Sequence, residues 1–190
     1  AYTAVDKAEE DSEIAEKVNS KGVLNLVNAL ETVDGKLIHI STDYVFDGDH
    51  FLPYKESDPV SPIGVYGETK RAGEVAVINS DIDAIVIRTS WLYSSFGNNF
   101  VKTMLKLGHE RDELGVIFDQ VGTPTNASDL AKTCLDILLD KSSANISKKG
   151  KIYHYSNEGV TSWYDFATAI MEFGSLDCKV RPIETKDYPT

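Results

Sequence analysis

Short apolar segments alternate with amphipathic helical segments along most of this chain. The strand-like segments are KLIHI (36–40), AIVIRTS (84–90), GVIF (115–118) and KIYHYS (151–156). Helical spacing of apolar residues predicts helices over 12–31, 64–79, 98–108 and 128–139, with a last helix from Thr161 or Ser162. Ser128 is the expected cap of the fourth helix. This alternation is typical of a doubly wound α/β fold, in which helices cover both faces of a parallel sheet.

Composition narrows the class of protein. The 190 residues carry a formal net charge of −11 without a basic stripe, which argues against nucleic acid and anionic membranes as partners. No run of about 18 apolar residues predicts a membrane span, and the acidic N-terminus does not resemble a signal peptide. Cys134 and Cys178 are far apart in sequence, with no metal-like CxxC spacing and no histidine nearby. We therefore expect a cytoplasmic protein with reduced thiols, and we assign no metal ligands.

Polar side chains follow three of the predicted strands. These segments are STD (41–43), TSW (89–91) and SN (156–157). Ligands of doubly wound folds bind at the carboxyl ends of strands, so these positions are candidate site residues. The connection over 41–62 is long for this fold, which is also typical of a functional loop. By contrast, SSANISKKGK (142–151) is expected to be a polar surface connection.

Tyr66 and Lys70 are four residues apart on a predicted helix and therefore share a face. An ammonium near a phenol favours the phenolate, so we expect Lys70 to lower the pKa of Tyr66 from about 10. A tyrosine with such a pKa can exchange a proton with a carbonyl oxygen, and the Thr42 hydroxyl could hold the same oxygen. The Tyr-x-x-x-Lys spacing alone is weak evidence, because it also arises by chance.

Six blocks in order make the pattern specific. They are AYTAVDKAE (1–9), STDYVFDG (41–48), VYGETKRAGE (65–74), RTSWLY (88–93), GNNFVKTML (97–105) and DQVGTPT (119–125). Together they resemble the dTDP-4-dehydrorhamnose reductase family of the extended short-chain dehydrogenase/reductase superfamily. The resemblance implies a Rossmann-like cofactor domain over 1–93 and 127–158. It also implies a small substrate-binding lobe over 94–126 and 159–190.

The resemblance implies a reaction and a catalytic group. NADPH or NADH would reduce the C4 ketone of dTDP-4-dehydro-6-deoxy-L-mannose to give dTDP-L-rhamnose. Tyr66 would protonate the C4 oxygen, and Thr42 would hydrogen-bond the same oxygen. Lys70 would lower the pKa of Tyr66 and hold the nicotinamide ribose.

The resemblance also implies binding residues outside this catalytic group. The segment Ala1–Thr3, with Tyr2 at its centre, would lie along the cofactor. Asp43 and Trp91 would contact the sugar. Asn98, Asn99 and Gln120 fall in substrate-lobe motifs and would help to hold the nucleotide sugar.

Glycine-rich phosphate-binding motifs of the form GxGxxG or GxxGxxG are absent from these 190 residues. Members of the family carry such a loop, so we expect this chain to be a fragment that binds a dinucleotide poorly and is inactive alone. An exposed strand edge would then favour self-association, and we expect a homo-oligomer. Preference between NADPH and NADH, and any need for Mg²⁺, are left open.

Two other functions are compatible with the same pattern. One is a related nucleotide-sugar dehydratase or epimerase, although dehydratases resemble Ser-Thr-Asp-Glu where this chain has Tyr44. The other is a non-catalytic relative that binds a partner enzyme. The presence of Thr42, Tyr66 and Lys70 together argues against this non-catalytic alternative.

Overall fold

The computed structural model describes residues 1–139 and 150–188, so most of the predicted polar connection, 142–149, lies outside the described residues. The chain forms two compact units. The first unit comprises Ala1–Thr89 and Asp136–Tyr155, and the second comprises Ser90–Leu135 and Ser156–Thr190. Each unit has its own buried core, so each is described by itself.

The first unit is an α/β unit. Its helices are α1 (Ser12–Glu16), α2 (Gly22–Glu31) and α3 (Val65–Ile78), and a π-helical turn over Lys17–Lys21 joins α1 to α2. Its strands are β1 (Lys36–Thr42) and β2 (Asp83–Thr89), followed later in the chain by β7 (Lys151–His154). The three strands form one sheet in the order β1-β2-β7, and both pairings are parallel.

The register of this sheet follows from its apolar strands. Ile38 lies opposite Ile85, and Ile87 lies opposite Tyr153. Almost all of β2 is buried, which suits a central strand that is covered on both faces. Residues of α2, α3 and β2, with Ile82 just before β2, form the buried core cluster Val23, Val27, Val77, Ile82, Ala84 and Val86.

The second unit contains shorter strands and three helices. The strands are β3 (Leu92–Tyr93), β4 (Glu113–Ile117), β5 (Val121–Gly122), β6 (Thr125–Asn126), β8 (Thr161–Ser162) and β9 (Lys179–Ile183). The helices are α4 (Phe100–Glu110), α5 (Ala127–Leu138) and α6 (Trp163–Phe173). Strands β4 and β9 pair in parallel, as do β3 and β6, whereas β5 and β8 are antiparallel. Met104, Ile170 and Met171 lie in the core of this unit.

The predicted α/β class with a parallel sheet is confirmed, and the long helices lie close to their predicted bounds. The expected cap at Ser128 is wrong. The Asn126 side chain accepts a hydrogen bond from the Ser128 backbone at 2.8 Å, and Ser128 lies inside α5. Both residue types cap helices well, so sequence alone could not choose between them. Among the described residues, no helix combines the length and apolarity that crossing a bilayer requires.

Candidate active site

The carboxyl end of β1 turns sharply and brings two polar side chains together. Thr42 is buried, and its hydroxyl donates a hydrogen bond to the Asp43 carboxylate at 3.0 Å. The same hydroxyl oxygen accepts a hydrogen bond from the Tyr44 backbone at 3.2 Å, and so caps the 3₁₀ turn Asp43–Val45. The hydroxyl that follows the strand therefore shapes the turn and also presents a polar group at its start.

The first turn of α3 approaches this turn very closely. A Cβ atom on Gly67 would collide with the backbone carbonyl oxygen of Tyr44, so a residue with no side chain is required there. The neighbouring Tyr66 ring meets the Tyr44 ring edge-on, with 5.6 Å between ring centroids. The close approach places the Tyr66 phenol beside Thr42, whose hydroxyl interacts with it.

The pKa of Tyr66 is raised above 10, which contradicts the expected lowering. Burial of the phenol is the largest cause, and the negative charge of Asp43 adds to it. The nearby Thr42 hydroxyl acts in the opposite direction but is outweighed. In the structure Tyr66 is thus a protonated phenol at neutral pH, which is the form able to donate a proton.

Lys70 lies one helical turn after Tyr66 but is held by the strand rather than by the phenol. Its ammonium donates a hydrogen bond of 2.6 Å to the carbonyl oxygen of Ile40, and the residue is only 3% exposed. Burial lowers the pKa of Lys70, while the nearby Glu74 carboxylate raises it and limits that effect. The lysine is therefore fixed in place at the end of β1.

A buried ion-pair network lies next to Lys70 on the same helix. Glu74 is fully buried and accepts two hydrogen bonds from Arg88 of β2 and one from Arg71, each 2.8 Å long. Burial alone would raise the pKa of Glu74, but its hydrogen bonds, chiefly that of Arg88, lower it. Glu74 is therefore ionised and ties α3 to β2.

In contrast to Glu74, Asp43 has a raised pKa. Burial raises the pKa of its carboxyl to about 6, because the hydrogen bonds from Thr42 and the backbone compensate only in part. The carboxyl thus changes charge just below neutral pH, beside Thr42 and Tyr66. Among the described residues, no cluster of three or more His, Cys, Asp or Glu side chains is arranged to hold a metal ion.

The N-terminal segment Ala1–Thr3 is held against α3 by a residue that the sequence reasoning missed. Asn19 accepts a hydrogen bond from the Tyr2 backbone at 2.8 Å and donates one to its carbonyl oxygen at 3.0 Å. Its amide also donates to the Thr69 hydroxyl of α3 at 3.3 Å. Asn19 is 1% exposed within the π-helical turn, and such turns often occur at functional sites.

A sequence signal for Asn19 does exist. Ala15, Asn19, Val23 and Val27 are all buried and recur every four residues, so Asn19 lies on the apolar stripe of its helical segment. A polar residue on such a stripe needs hydrogen-bond partners. Helical periodicity is carried by the apolar members of such a stripe, so it does not by itself mark the polar one.

The other predicted binding residues belong to the second unit. Trp91 stacks on Trp163 with 3.4 Å between ring centroids. Asn98 is exposed, whereas the Asn99 side chain accepts a hydrogen bond from the Lys102 backbone at 3.2 Å and so caps α4. The Gln120 side chain donates a hydrogen bond of 3.1 Å to the Thr185 hydroxyl. Of these residues, Asn98 and Gln120 are exposed on the unit's surface.

The chain matches the model of the RmlD substrate binding domain over residues 1–190. This match covers every residue of the sequence. The chain belongs to the RmlD substrate binding domain family. Its match extends through both units, including the turn after β1 and the start of α3.

Two curated relatives have similar sequence identities to this chain. The spore coat polysaccharide biosynthesis protein SpsK of Bacillus subtilis is 40% identical over 188 residues, which are 99% of this chain and 64% of that protein. The dTDP-4-dehydrorhamnose reductase of Aggregatibacter actinomycetemcomitans is 42% identical over 196 residues, covering 100% of this chain and 66% of the relative. The chain thus spans about two thirds of the length of these relatives.

Solved structures of the family share the fold. A dTDP-4-dehydrorhamnose reductase from Clostridium acetobutylicum is 44% identical with a TM-score of 0.91, covering 100% of this chain and 65% of that one. The dTDP-4-dehydrorhamnose reductase of Bacillus anthracis, solved in complex with NADP, is 41% identical with a TM-score of 0.91, covering 98% and 64%. The Rossmann-like class predicted from the sequence is thereby confirmed.

Proposed function

We propose that this chain is part of an NAD(P)H-dependent reductase that converts dTDP-4-dehydro-6-deoxy-L-mannose to dTDP-L-rhamnose. The observation that carries the proposal is the convergence of Thr42, Asp43 and Tyr66 where β1 meets α3. Relatives in the same family are named dTDP-4-dehydrorhamnose reductase, and one of them was solved with NADP. This convergence favours a reductive site over a non-catalytic fold relative, because binding alone does not need a buried phenol beside a hydroxyl.

Tyr66 is the proposed proton donor. Its raised pKa keeps the phenol protonated at neutral pH, so a proton is available for the C4 oxygen as that oxygen gains negative charge. Thr42 would share the same oxygen through its hydroxyl, and Asp43 would contact the sugar. After the proton leaves, Tyr66 regains one from water, which completes the proton balance of the reduction.

The first unit offers residues that fit a nicotinamide cofactor. When bound, NAD(P)H supplies the hydride that reduces C4. The buried ammonium of Lys70, one helical turn after Tyr66, suits a ribose hydroxyl as its second partner, and the segment Ala1–Thr3 is held against α3 by Asn19. These contacts support the proposal that Ala1, Tyr2 and Thr3 lie along the cofactor.

The second unit is proposed to bind the substrate. Trp91 would pack against the sugar, while Asn98, Asn99 and Gln120 would hold the nucleotide part. We also propose that the first unit corresponds to the cofactor domain. These assignments rest on the family motifs of the sequence. The further proposal that the protein acts as a homo-oligomer rests on the strand edge that the sequence analysis expects to be exposed.

The test is the Tyr66→Phe variant, which is introduced into the entire gene product and assayed there. Turnover is followed as NAD(P)H oxidation with dTDP-4-dehydro-6-deoxy-L-mannose, and formation of dTDP-L-rhamnose is verified. Loss of a general acid should lower kcat by about 10²-fold or more, with substrate binding largely kept, because the change removes a proton and little shape.

The matched control is Tyr44→Phe. This neighbouring tyrosine is exposed and contacts the Tyr66 ring with its own ring edge, which phenylalanine preserves. The control should therefore keep most of the activity. A Tyr66→Phe variant with more than about a tenth of the wild-type kcat would rule out the proton-donor role.

A further inference from the structure

The two tryptophans of the chain form a stacked pair inside the second unit. The rings of Trp91 and Trp163 lie 3.4 Å apart between centroids and are nearly parallel, at 9°. Phe100 extends the group, with its centroid 4.6 Å from that of Trp163. Phe166 lies 5.6 Å from Phe100 and 6.5 Å from Trp91. Trp91 thus belongs to a group of four aromatic side chains in contact.

The backbone of Trp91 is held in an unfavourable conformation. Its φ is +47°, in the left-handed region that large side chains rarely adopt. The carbonyl oxygen of Trp91 accepts a hydrogen bond from the Thr125 backbone at 3.2 Å, and the preceding Ser90 hydroxyl donates one to the Thr123 carbonyl at 2.7 Å. Strain of this kind persists only where surrounding contacts fix it, and it is concentrated at functional sites.

Gly122 provides the second contact with the Trp91 ring. A Cβ atom at this position would lie 2.5 Å from Cε2 and 2.7 Å from Nε1 of Trp91, so the indole can lie there only because Gly122 has no side chain. Gly122 belongs to β5, which pairs with β8, and Ser162 of β8 directly precedes Trp163. One strand pair therefore carries both contacts of the Trp91 ring.

The position of Trp163 is fixed in turn by the start of α6. Ser162 is the N-cap of this helix, and its hydroxyl accepts a hydrogen bond from the Asp165 backbone at 3.0 Å. The Asp165 carboxylate accepts hydrogen bonds back from Ser162, which completes a capping box. Trp163 is the first helical residue, so the cap determines where its ring lies.

We propose that Trp163 and Gly122 are positioning residues, which hold the Trp91 indole as a rigid platform for the sugar of a nucleotide-activated 6-deoxyhexose. This inference rests on the proposed function for its ligand and on the described contacts for its geometry. A rigid aromatic ring offers a flat apolar surface that loses little conformational freedom on binding. Trp163 itself need not contact the ligand.

The experiment compares Trp163→Ala with Trp163→Phe, each introduced into the entire gene product. Each variant retains Trp91 as the single tryptophan of this chain, so time-resolved fluorescence anisotropy reports the mobility of that ring. The Trp91 ring should be more mobile in the Ala variant than in the Phe variant. The Ala variant should raise KM for the dTDP-sugar at least about tenfold with little change in kcat, while Phe restores KM because it still supports the Trp91 ring.

Phe173→Ala is the matched control, because Phe173 lies on the same helix and is exposed. It should leave KM unchanged. Thermal unfolding shows that each variant is folded. If a folded Trp163→Ala variant keeps a wild-type KM, or if its Trp91 ring is no more mobile than in Trp163→Phe, the positioning role is wrong.

Failure of the proposed function has a different signature. A wild type with no turnover would contradict the reductase proposal alone. The positioning role is then decided by titration with dTDP-sugar, followed by the fluorescence of Trp91. A half-saturating concentration at least about tenfold higher in Trp163→Ala than in Trp163→Phe supports the role, and equal concentrations overturn it.

Discussion

Two regions of this protein each hold one candidate functional side chain in place, the first through buried charges and the second through aromatic packing. In the first unit, Lys70 lies among buried charges, beside the ion pair of Glu74 with Arg88. In the second unit, Trp91 is held by ring stacking on Trp163 and by contact with Gly122. The comparison shows that a side chain can be immobilised by directional charged hydrogen bonds or by non-directional packing, and that the two should respond differently to substitution.

The charged region depends on each partner being present. Arg88 gives Glu74 two hydrogen bonds of 2.8 Å, and Arg71 gives it a third. Charges are costly to bury, and this cost is offset only while the pair stays complete. Removing one member therefore leaves the other charge buried without compensation.

The aromatic region depends on volume rather than on partners. Phe100, Phe166, Trp91 and Trp163 contact one another with centroid distances between 3.4 and 6.5 Å. Apolar substitutions that nearly conserve volume are usually tolerated in such clusters. The two regions thus predict a ranking of stability effects.

The largest effect is expected for Glu74→Gln, which keeps the shape and removes the charge. The variant should lose about 3–5 kcal/mol of unfolding free energy, because Arg88 would remain buried and unpaired. Urea unfolding measures the loss. Glu68→Gln is the control on the same helix, since Glu68 is exposed and should change stability little. Equal losses for the two variants would show that the ion pair does not hold α3 to β2.

An intermediate effect, which depends on pH, is expected for Asp43→Asn. Burial raises the folded-state pKa of Asp43 to about 6, above its ordinary value near 4. The stability linked to the protonated carboxyl is fully present below pH 4 and is lost as pH rises through 6. Wild-type stability should thus fall relative to Asp43→Asn by up to about 3 kcal/mol between pH 4 and pH 6.

Denaturant unfolding of both proteins at pH 4, 5, 6 and 7 measures this difference. Other titrating groups cancel in the comparison, among them His39, whose pKa burial lowers to about 4. A difference that stays constant over this range would mean that Asp43 does not have the raised pKa. It would also remove the contrast between Asp43 and the ionised Glu74.

The smallest effect is expected for Phe166→Leu in the aromatic region. Leucine keeps most of the apolar volume, so the loss should not exceed about 1.5 kcal/mol. Thermal or urea unfolding measures it, and Phe173→Leu serves as the control because Phe173 is exposed on the same helix. A loss above that of Glu74→Gln would reverse the ranking and show that exact ring contacts matter more than buried charge.

Much of the first unit could be predicted from local pattern. The helix predicted over 64–79 is observed as Val65–Ile78, and the strand predicted over 36–40 is observed as Lys36–Thr42. Both carry a clear apolar period, which is a local property of sequence. The two-residue strands of the second unit are too short to show a period, and β9 was missed because Pro182 and charged residues interrupt its apolar residues.

The candidate site also has residues that the sequence predicted and residues that only the structure revealed. Thr42, Tyr66 and Lys70 were identified from motif and spacing, and the structure places Thr42 beside Tyr66. Lys70 instead donates to the Ile40 carbonyl, and the pKa of Tyr66 is raised rather than lowered. The support from Asn19, Glu74 and Trp163 was not foreseen, since these contacts join residues that are far apart in the chain.

The amino-acid sequence alone determined the alternation of strands and helices, and with it the end of β1 as the place for Thr42 and the first turn of α3 as the place for Tyr66. Periodicity is local, so it can be read without knowing which segments meet. Only the tertiary structure decided the charge states of Tyr66, Asp43 and Glu74. A pKa depends on burial and on neighbouring groups, and these are set by contacts between distant segments.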